Sequence, residues 1–334
     1  MKNKLLLTTA LATSLVAVNT VSFAAASVSG SIEYTYNSAE DTASDTEGAL
    51  GVESTVKFSG STDAEIGTIT SGFNLEDSNI EAPHIKVTNG DTTVGVGADF
   101  APNLSVTFLP NVGDPAETVA KNVGSALVET TNAGGTIKNG QGLLLSQKFD
   151  GGNISMFLVP DSVKNTQGGG GDSSNVNSAD ESGSGYNVVF TGNLGIDGLS
   201  VLAGINDTTG KNGAEDGGAQ KVGVQYNFGS VTVGLHRDKV ENVALAAKQD
   251  EYTTTGVGLA FAVNDNLSLS ASFQRTDGDT DGVDVAAEEE IRMISAGYNL
   301  GGLGLEISYA EIEDVAGVAG SDGDAFQIRT VSKF

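Results

Sequence analysis

The chain has 334 residues, with 17 Lys and Arg against 43 Asp and Glu, a formal charge of −26, two His, no Cys, 45 Gly and 5 Pro. So acidic a chain has no clustered basic surface for gripping phosphates, which argues against nucleic acid as a partner. The absence of thiols excludes a disulfide framework, and thiol and histidine routes to zinc binding or nucleophilic catalysis are nearly closed. No stretch sustains helical periodicity, so the composition predicts an all-β protein.

At the N-terminus, Lys2 and Lys4 precede a mostly apolar run from Leu5 to Val21 that ends in Ala24-Ala25-Ala26. This order of charge, apolar stretch and small residues predicts a signal peptide over residues 1–24, cleaved after Ala24 or Ala26, and a single domain over 25–334. Thr8, Thr9, Thr13, Ser14, Asn19 and Thr20 interrupt the run. A membrane anchor, which needs about 20 consecutive apolar residues, therefore fits less well.

Period-two alternation begins at once. Val28, Gly30, Ile32, Tyr34 and Tyr36 share one face, and Ser29, Ser31, Glu33 and Thr35 take the other. Val52 to Ser59 and Ile69 to Leu75 repeat the pattern across a turn near Thr62-Asp63, and the weak stretch Glu76 to Pro83 reads as a short loop. Ile85 to Thr88 and Thr92 to Ala98 flank an Asn89-Gly90-Asp91 turn, a strong hairpin signal. Then come Gly142 to Phe149 with Asn153 to Pro160, Tyr186 to Leu194 with Leu199 to Ile205, and Lys221 to Phe228 with Val231 to Arg237. Thr253 to Val263 with Leu267 to Arg275, Ile291 to Leu300 with Leu303 to Ile312, and a closing segment Asp324 to Phe334 complete the set.

These segments predict 16 strands in which short turns and longer polar loops alternate, the asymmetry of outer-membrane barrels. An even count brings both termini to the same, periplasmic side and lets the first strand meet the last, which removes edges intolerable in lipid. A soluble sandwich or β-helix is the competing fold. Against it, no fixed repeat period is present, and the polar faces carry small residues such as Ser268, Ser270, Ser272, Gly256, Gly258 and Ala260. That face would pack poorly as a dry core and suits a water-filled lumen.

With the signal, the opening Val28-Ser29-Gly30-Ser31-Ile32-Glu33, the terminal Phe334 and a very long third loop, the chain resembles the general bacterial porins, trimeric 16-stranded barrels of Gram-negative outer membranes. The resemblance implies a homotrimer among outer-membrane lipid and lipopolysaccharide, and Phe334 as the signal read by the barrel-assembly machinery. It also implies that the third loop, residues 99–140, folds into the lumen as a constriction. There Asp114, Glu117 and Glu129 are the acidic candidates, although solvated charges on an external loop are the competing reading. Strand parity points Lys57, Lys86 and Arg329 inward, with His84 beside Lys86, as a basic wall. Opposed charges across an aperture would set up a transverse field that tunes solute and ion choice. The chain departs from the family in having Lys where several Arg are expected.

One further loop carries Asp277, Asp279 and Asp281, then Gly282 and Glu288, spaced like a calcium loop. Strands rather than helices flank it, and Asp284 replaces the usual apolar residue, so chance is an alternative origin. No positioned nucleophile, acid or base suggests an enzyme, and no cofactor is required. Passive diffusion of small hydrophilic solutes, with cations preferred, is the leading expectation. A surface adhesin or receptor with calcium-stabilised loops and a substrate-selective porin are the alternatives; the chain lacks Trp for a sugar slide and a dense basic lining for phosphate.

Overall fold

The computed structural model describes residues 25–41, 45–76, 79–98, 104, 108–123, 141–160, 182–210, 217–241, 251–280, 283–284 and 287–334. Seventeen strands follow in chain order: β1 (Ala25–Asp41), β2 (Asp45–Ala64), β3 (Gly67–Glu76), β4 (Asn79–Asn89), β5 (Thr92–Ala98), β6 (Gln141–Phe149), β7 (Gly152–Val159), β8 (Ser182–Gly192) and β9 (Leu199–Gly210). The remainder are β10 (Gly217–Asn227), β11 (Val231–Glu241), β12 (Glu251–Ala262), β13 (Leu267–Thr280), β14 (Val283–Asp284), β15 (Glu289–Asn299), β16 (Leu303–Glu313) and β17 (Gly323–Lys333). The two-residue β14 folds back on β13, and β13 pairs onward with β15. The other sixteen strands each pair antiparallel with their sequence neighbours, and β1 pairs β17, so the sheet closes into a barrel.

The β1–β17 ladder runs from Ser31↔Lys333 to Asp41↔Gly323, and Phe334 extends it. The Gly30 N–H donates to the Phe334 carbonyl at 2.9 Å, and the Phe334 N–H to the Gly30 carbonyl at 3.0 Å. The Phe334 ring lies over Gly30, where a Cβ would stand 2.6 Å from Cζ. Glycine at that point lets the final aromatic cover the seam.

Alternation sorts the two faces as expected. Val28, Val52, Leu235 and Ile294 stand 61–62 % exposed on the outside of the closed sheet, part of an apolar belt that circles the barrel. Belts of that extent mark contact with lipid rather than water. No helix among the described residues is long and apolar enough to cross a membrane.

Two local features differ from the sequence expectation. β1 and β2 run on to Asp41 and Asp45, so the first hairpin is far longer than its apolar alternation indicated. Its outer part is mostly polar, and backbone pairing carries the register out to Glu40↔Asp45. The stretch expected as a loop from Glu76 to Pro83 is mostly strand: Asn74 pairs Glu81 and Gly72 pairs His84, with a bulge between. Pro83 has no N–H for the ladder and Ala82 takes φ +48°, which accounts for the bulge at that spot.

Candidate functional site

Residues 108–123, with Leu104, lie inside the barrel against the inner faces of β9 to β17. The wall beneath them is built from residues with little or no side chain. Leu104 sits over Gly204 on β9 and Phe108 over Gly223 on β10, each where a Cβ would collide. Pro110 lies over Gly234 and Gly258, 2.5 and 3.1 Å from where Cβ atoms would stand; Leu109 is 3.0 Å from such a position on Gly256, and Val112 2.5 Å from one on Gly297. The Val112 N–H donates to Ser270 Oγ at 2.9 Å. The small inward positions of β10 to β15 thus form a track that the loop follows.

The track ends in a dry pocket for a short helix, α1 (Ala116–Ala120), followed by a 3-10 turn over Lys121–Val123. Ala116, Val119 and Ala120 are fully buried, packed with Ile291 and Met293 of β15, Ala310 and Ile312 of β16, Ala325 of β17 and Ala39 of β1. A five-residue helix has no stability of its own. It persists because inward positions that elsewhere on the wall are polar are apolar here. The Pro115 carbonyl accepts N–H bonds from Thr118 and Val119 at 3.0 and 3.2 Å.

Between track and helix the chain turns at Gly113, whose φ of +80° favours glycine. The turn carries Asp114 to Arg329 on β17, 3.3 Å from Nη1. Arg329 also donates from Nη2 to Glu33 of β1 at 2.5 Å and from Nη1 to Glu306 of β16 at 2.7 Å. One guanidinium is thus shared by three carboxylates. Burial pushes the Asp114 carboxyl above its ordinary pKa, and neighbouring Glu33 and Glu306 act the same way, against the pull of Arg329 and a Gln327 hydrogen bond.

Two of the sequence candidates, Asp114 and Arg329, are therefore brought together, in direct contact rather than facing each other across an aperture. Lys57 is exposed on the inner face of β2, and Lys86 half-buried on that of β4, with the nearby His84 Nδ1 2.8 Å from the Ala82 carbonyl. Both lysines lie on a part of the wall that the described loop residues leave uncovered. Glu117 falls in α1, its side chain outside the described residues, as is all of Glu129. Asp277 and Asp279 are within β13, Asp281 is outside the described residues, and the Glu288 carboxylate is engaged by Arg275. Among the described residues no group of three or more His, Asp or Glu is arranged to hold a metal ion.

Several contacts between lining residues were not legible in the sequence. Glu33 and Glu306 complete the Arg329 cluster, and parity alone places them inward. Lys221 pairs with Asp238 at 2.9 Å, with His236 3.3 Å from Asp238, all buried on the inner wall of β10 and β11. Only register joins these, through Lys221↔Asp238.

Solved structures share this architecture. OmpF of Salmonella typhi in complex with daunomycin superposes with a TM-score of 0.69 at 13% identity, over 92% of this chain and 97% of that one. The trimer form of OmpT from Vibrio cholerae gives 0.65 at 11%, over 93% and 100%, and an anion-selective porin from Comamonas acidovorans 0.64 at 16%, over 93% and 99%. A comparison with curated protein sequences finds no match. The family model for Gram-negative porins matches residues 8–317. With nearly the whole chain matched and the barrel closed around an inward loop, the chain belongs to the Gram-negative porin family and is an outer-membrane channel for small solutes.

Proposed function

We propose that this porin is a passive diffusion channel for small hydrophilic solutes and ions that prefers cations, with selectivity set where the inward loop meets β16, β17 and β1. The observation that supports this most is the Arg329 cluster, in which one cation faces the carboxylates of Glu33, Asp114 and Glu306. A net excess of carboxylate in a narrow lumen attracts cations and repels anions. The fold by itself does not fix the sign, since an anion-selective porin of Comamonas acidovorans has the same fold. Lys57 and Lys86 on the uncovered wall oppose this excess and moderate the preference.

In this reading residues 1–24 direct export and are removed, and both termini and the short turns face the periplasm. Phe334 is presented to the barrel-assembly machinery. The barrel forms a homotrimer, as the trimer form of Vibrio cholerae OmpT does, among outer-membrane lipid and lipopolysaccharide. The channel needs no cofactor and catalyses no reaction. Calcium at the Asp277 to Glu288 loop would have to displace Arg275 from Glu288 and would act on that loop alone.

The test is single-channel recording of the refolded protein in a planar bilayer with a salt gradient. Open channels with a cation-signed reversal potential, reduced in Asp114→Asn, are expected. Silent insertion, or anion preference, would overturn the reading.

A further inference from the structure

The loop that joins β16 to β17, residues 314–322, lies at the barrel end opposite the termini. It turns inward. Val315 is buried and belongs to the same apolar cluster as Val119 and Val123 of the inward loop and Ile291 and Ile312 of the wall, and Ala316 packs against that cluster. The helix α1 therefore shares its dry seat with a second loop as well as with strands.

The shape of this second loop is unfavourable by itself. Asp314 and Ala316 take φ of +52° and +59°, a region that residues with a Cβ avoid unless their surroundings enforce it. Bonds within the loop shape it: Asp314 Oδ1 accepts the Gly320 N–H at 2.6 Å, Asp322 Oδ1 accepts the Asp314 N–H at 3.2 Å, and the Val315 N–H donates to the Ser321 carbonyl at 2.6 Å. Two bonds tie it to the chain leading into β15. The Ala287 N–H donates to the Gly317 carbonyl at 3.2 Å, and the Ala316 N–H donates to Glu289 Oε2 at 3.0 Å. Glu289 is 1 % exposed, and a carboxylate so far from water is kept only where it is bonded. Glu289, Ile291 and Met293 are the successive buried positions of β15, so one strand face carries both the tie to this loop and the floor under α1.

We propose that the β16–β17 loop is a latch on the inward loop, and that Glu289 is the positioning residue that sets it. While the Glu289–Ala316 bond holds, Val315 stays seated, α1 stays docked and the pore keeps its narrow width. When the bond is lost the latch lifts and α1 follows, so a pull on the β16–β17 loop widens the pore. The effect on width rests on the channel reading above; the latching of α1 does not.

The test is limited trypsin digestion of the refolded full chain, with cleavage after Lys121 read by mass, beside single-channel conductance of the same samples. Lys121 is exposed in the turn that follows α1, yet a protease cleft accepts it only when the segment leaves its seat. Glu289→Ala should speed that cleavage roughly tenfold, the factor for one buried hydrogen bond to a charged group, and should raise conductance. Glu289→Gln, which keeps an oxygen acceptor for the Ala316 N–H, should recover most of both losses. Val315→Ser leaves Glu289 in place, removes the apolar peg, and should act in the same direction if the alanine variant does not refold. Cleavage as slow in Glu289→Ala or Val315→Ser as in the unaltered chain, or equal acceleration in Glu289→Gln and Glu289→Ala, would overturn the latch. Faster cleavage with unchanged conductance would uphold the latch on α1 and strike instead the reading that the inward loop sets the width of the pore.

Discussion

The inner wall has two sectors that look alike from outside and differ within. From β9 to β17 the inward positions under the loop include Gly204, Gly223, Gly234, Gly256, Gly258 and Gly297, then the apolar cluster of Ile291, Met293, Ala310, Ile312 and Ala325, with the paired charges Lys221–Asp238 and Arg329–Glu306 beside them. From β2 to β5 the inward positions include Glu53, Lys57, Glu81 and Lys86, none of them buried. Outward apolar side chains run through both, Val52, Ile85 and Val96 in one and Leu235, Val257 and Ile294 in the other. A barrel's outside is dictated by lipid, so only its inside is free to encode where a loop docks and where solute passes. Small residues give the loop a close approach, and charged residues keep the opposite wall wet.

The largest effect should come from breaking the dry end of the covered sector. Val119 is fully buried, so Val119→Asp puts an unpaired charge among apolar side chains and should cost loop docking about 3 kcal/mol or more. Conductance should rise sharply and the loop become open to protease, with the barrel's own unfolding temperature little changed. Next, Gly234→Val places a Cβ 2.5 Å from Pro110 Cδ and should cost about 1–3 kcal/mol by overpacking. A partial rise in conductance is expected, and Pro110→Ala on the same chain should restore part of the loss. Identical conductance in Gly234→Val and the unaltered channel would mean the loop does not rest on this track.

The charged junction between the sectors gives the third effect. Arg329→Gln removes the cation from the Glu33, Glu306 and Asp114 cluster, so reversal potentials should shift toward cations, while Asp114→Asn should shift them the other way. The pH sign follows from the direction of the Asp114 pKa. A carboxyl raised in the folded state from 3.8 favours docking when protonated. That contribution is complete below the ordinary carboxylate value and is lost as pH rises through the raised one. On acidification, cation preference should therefore start to fall above the ordinary carboxylate range, and this early phase should be missing in Asp114→Asn. The smallest effect belongs to the open sector. Lys57→Gln should change selectivity modestly without altering conductance or stability, because its exposed side chain holds nothing in place.

The strand plan was legible because lipid enforces period two on every strand. Thr92 to Ala98 matches β5 at both ends for that reason. The ends of β1 and β2 were not legible, since beyond Tyr36 and Leu50 the residues are mostly polar and alternation carries little signal there. Of the site, the inward loop, Asp114 and the inward sense of Arg329 could be read, and the small residues Gly256, Gly258, Ser270 and Ser272 were visible as a face unfit for a dry core. Their use as a docking track was not, because it depends on which loop atom meets which strand. The Arg329 cluster was hidden for a related reason: Glu33 and Arg329 are 296 residues apart and meet only when β1 closes on β17.

The most direct test of the account is to tether the loop to its track. The chain has no cysteine, and a Cβ at Gly258 would lie 3.2 Å from that of Leu109, a few tenths of an ångström closer than bonded cysteines stand, so that a small outward shift reaches bonding separation. In the doubly substituted Leu109→Cys/Gly258→Cys channel, oxidation should form the bond readily and leave single-channel conductance and reversal potential as they were under reducing conditions. Failure of the pair to bond, or a large change in conductance when it does, would contradict a loop that already rests on the glycine track and sets the width of the pore.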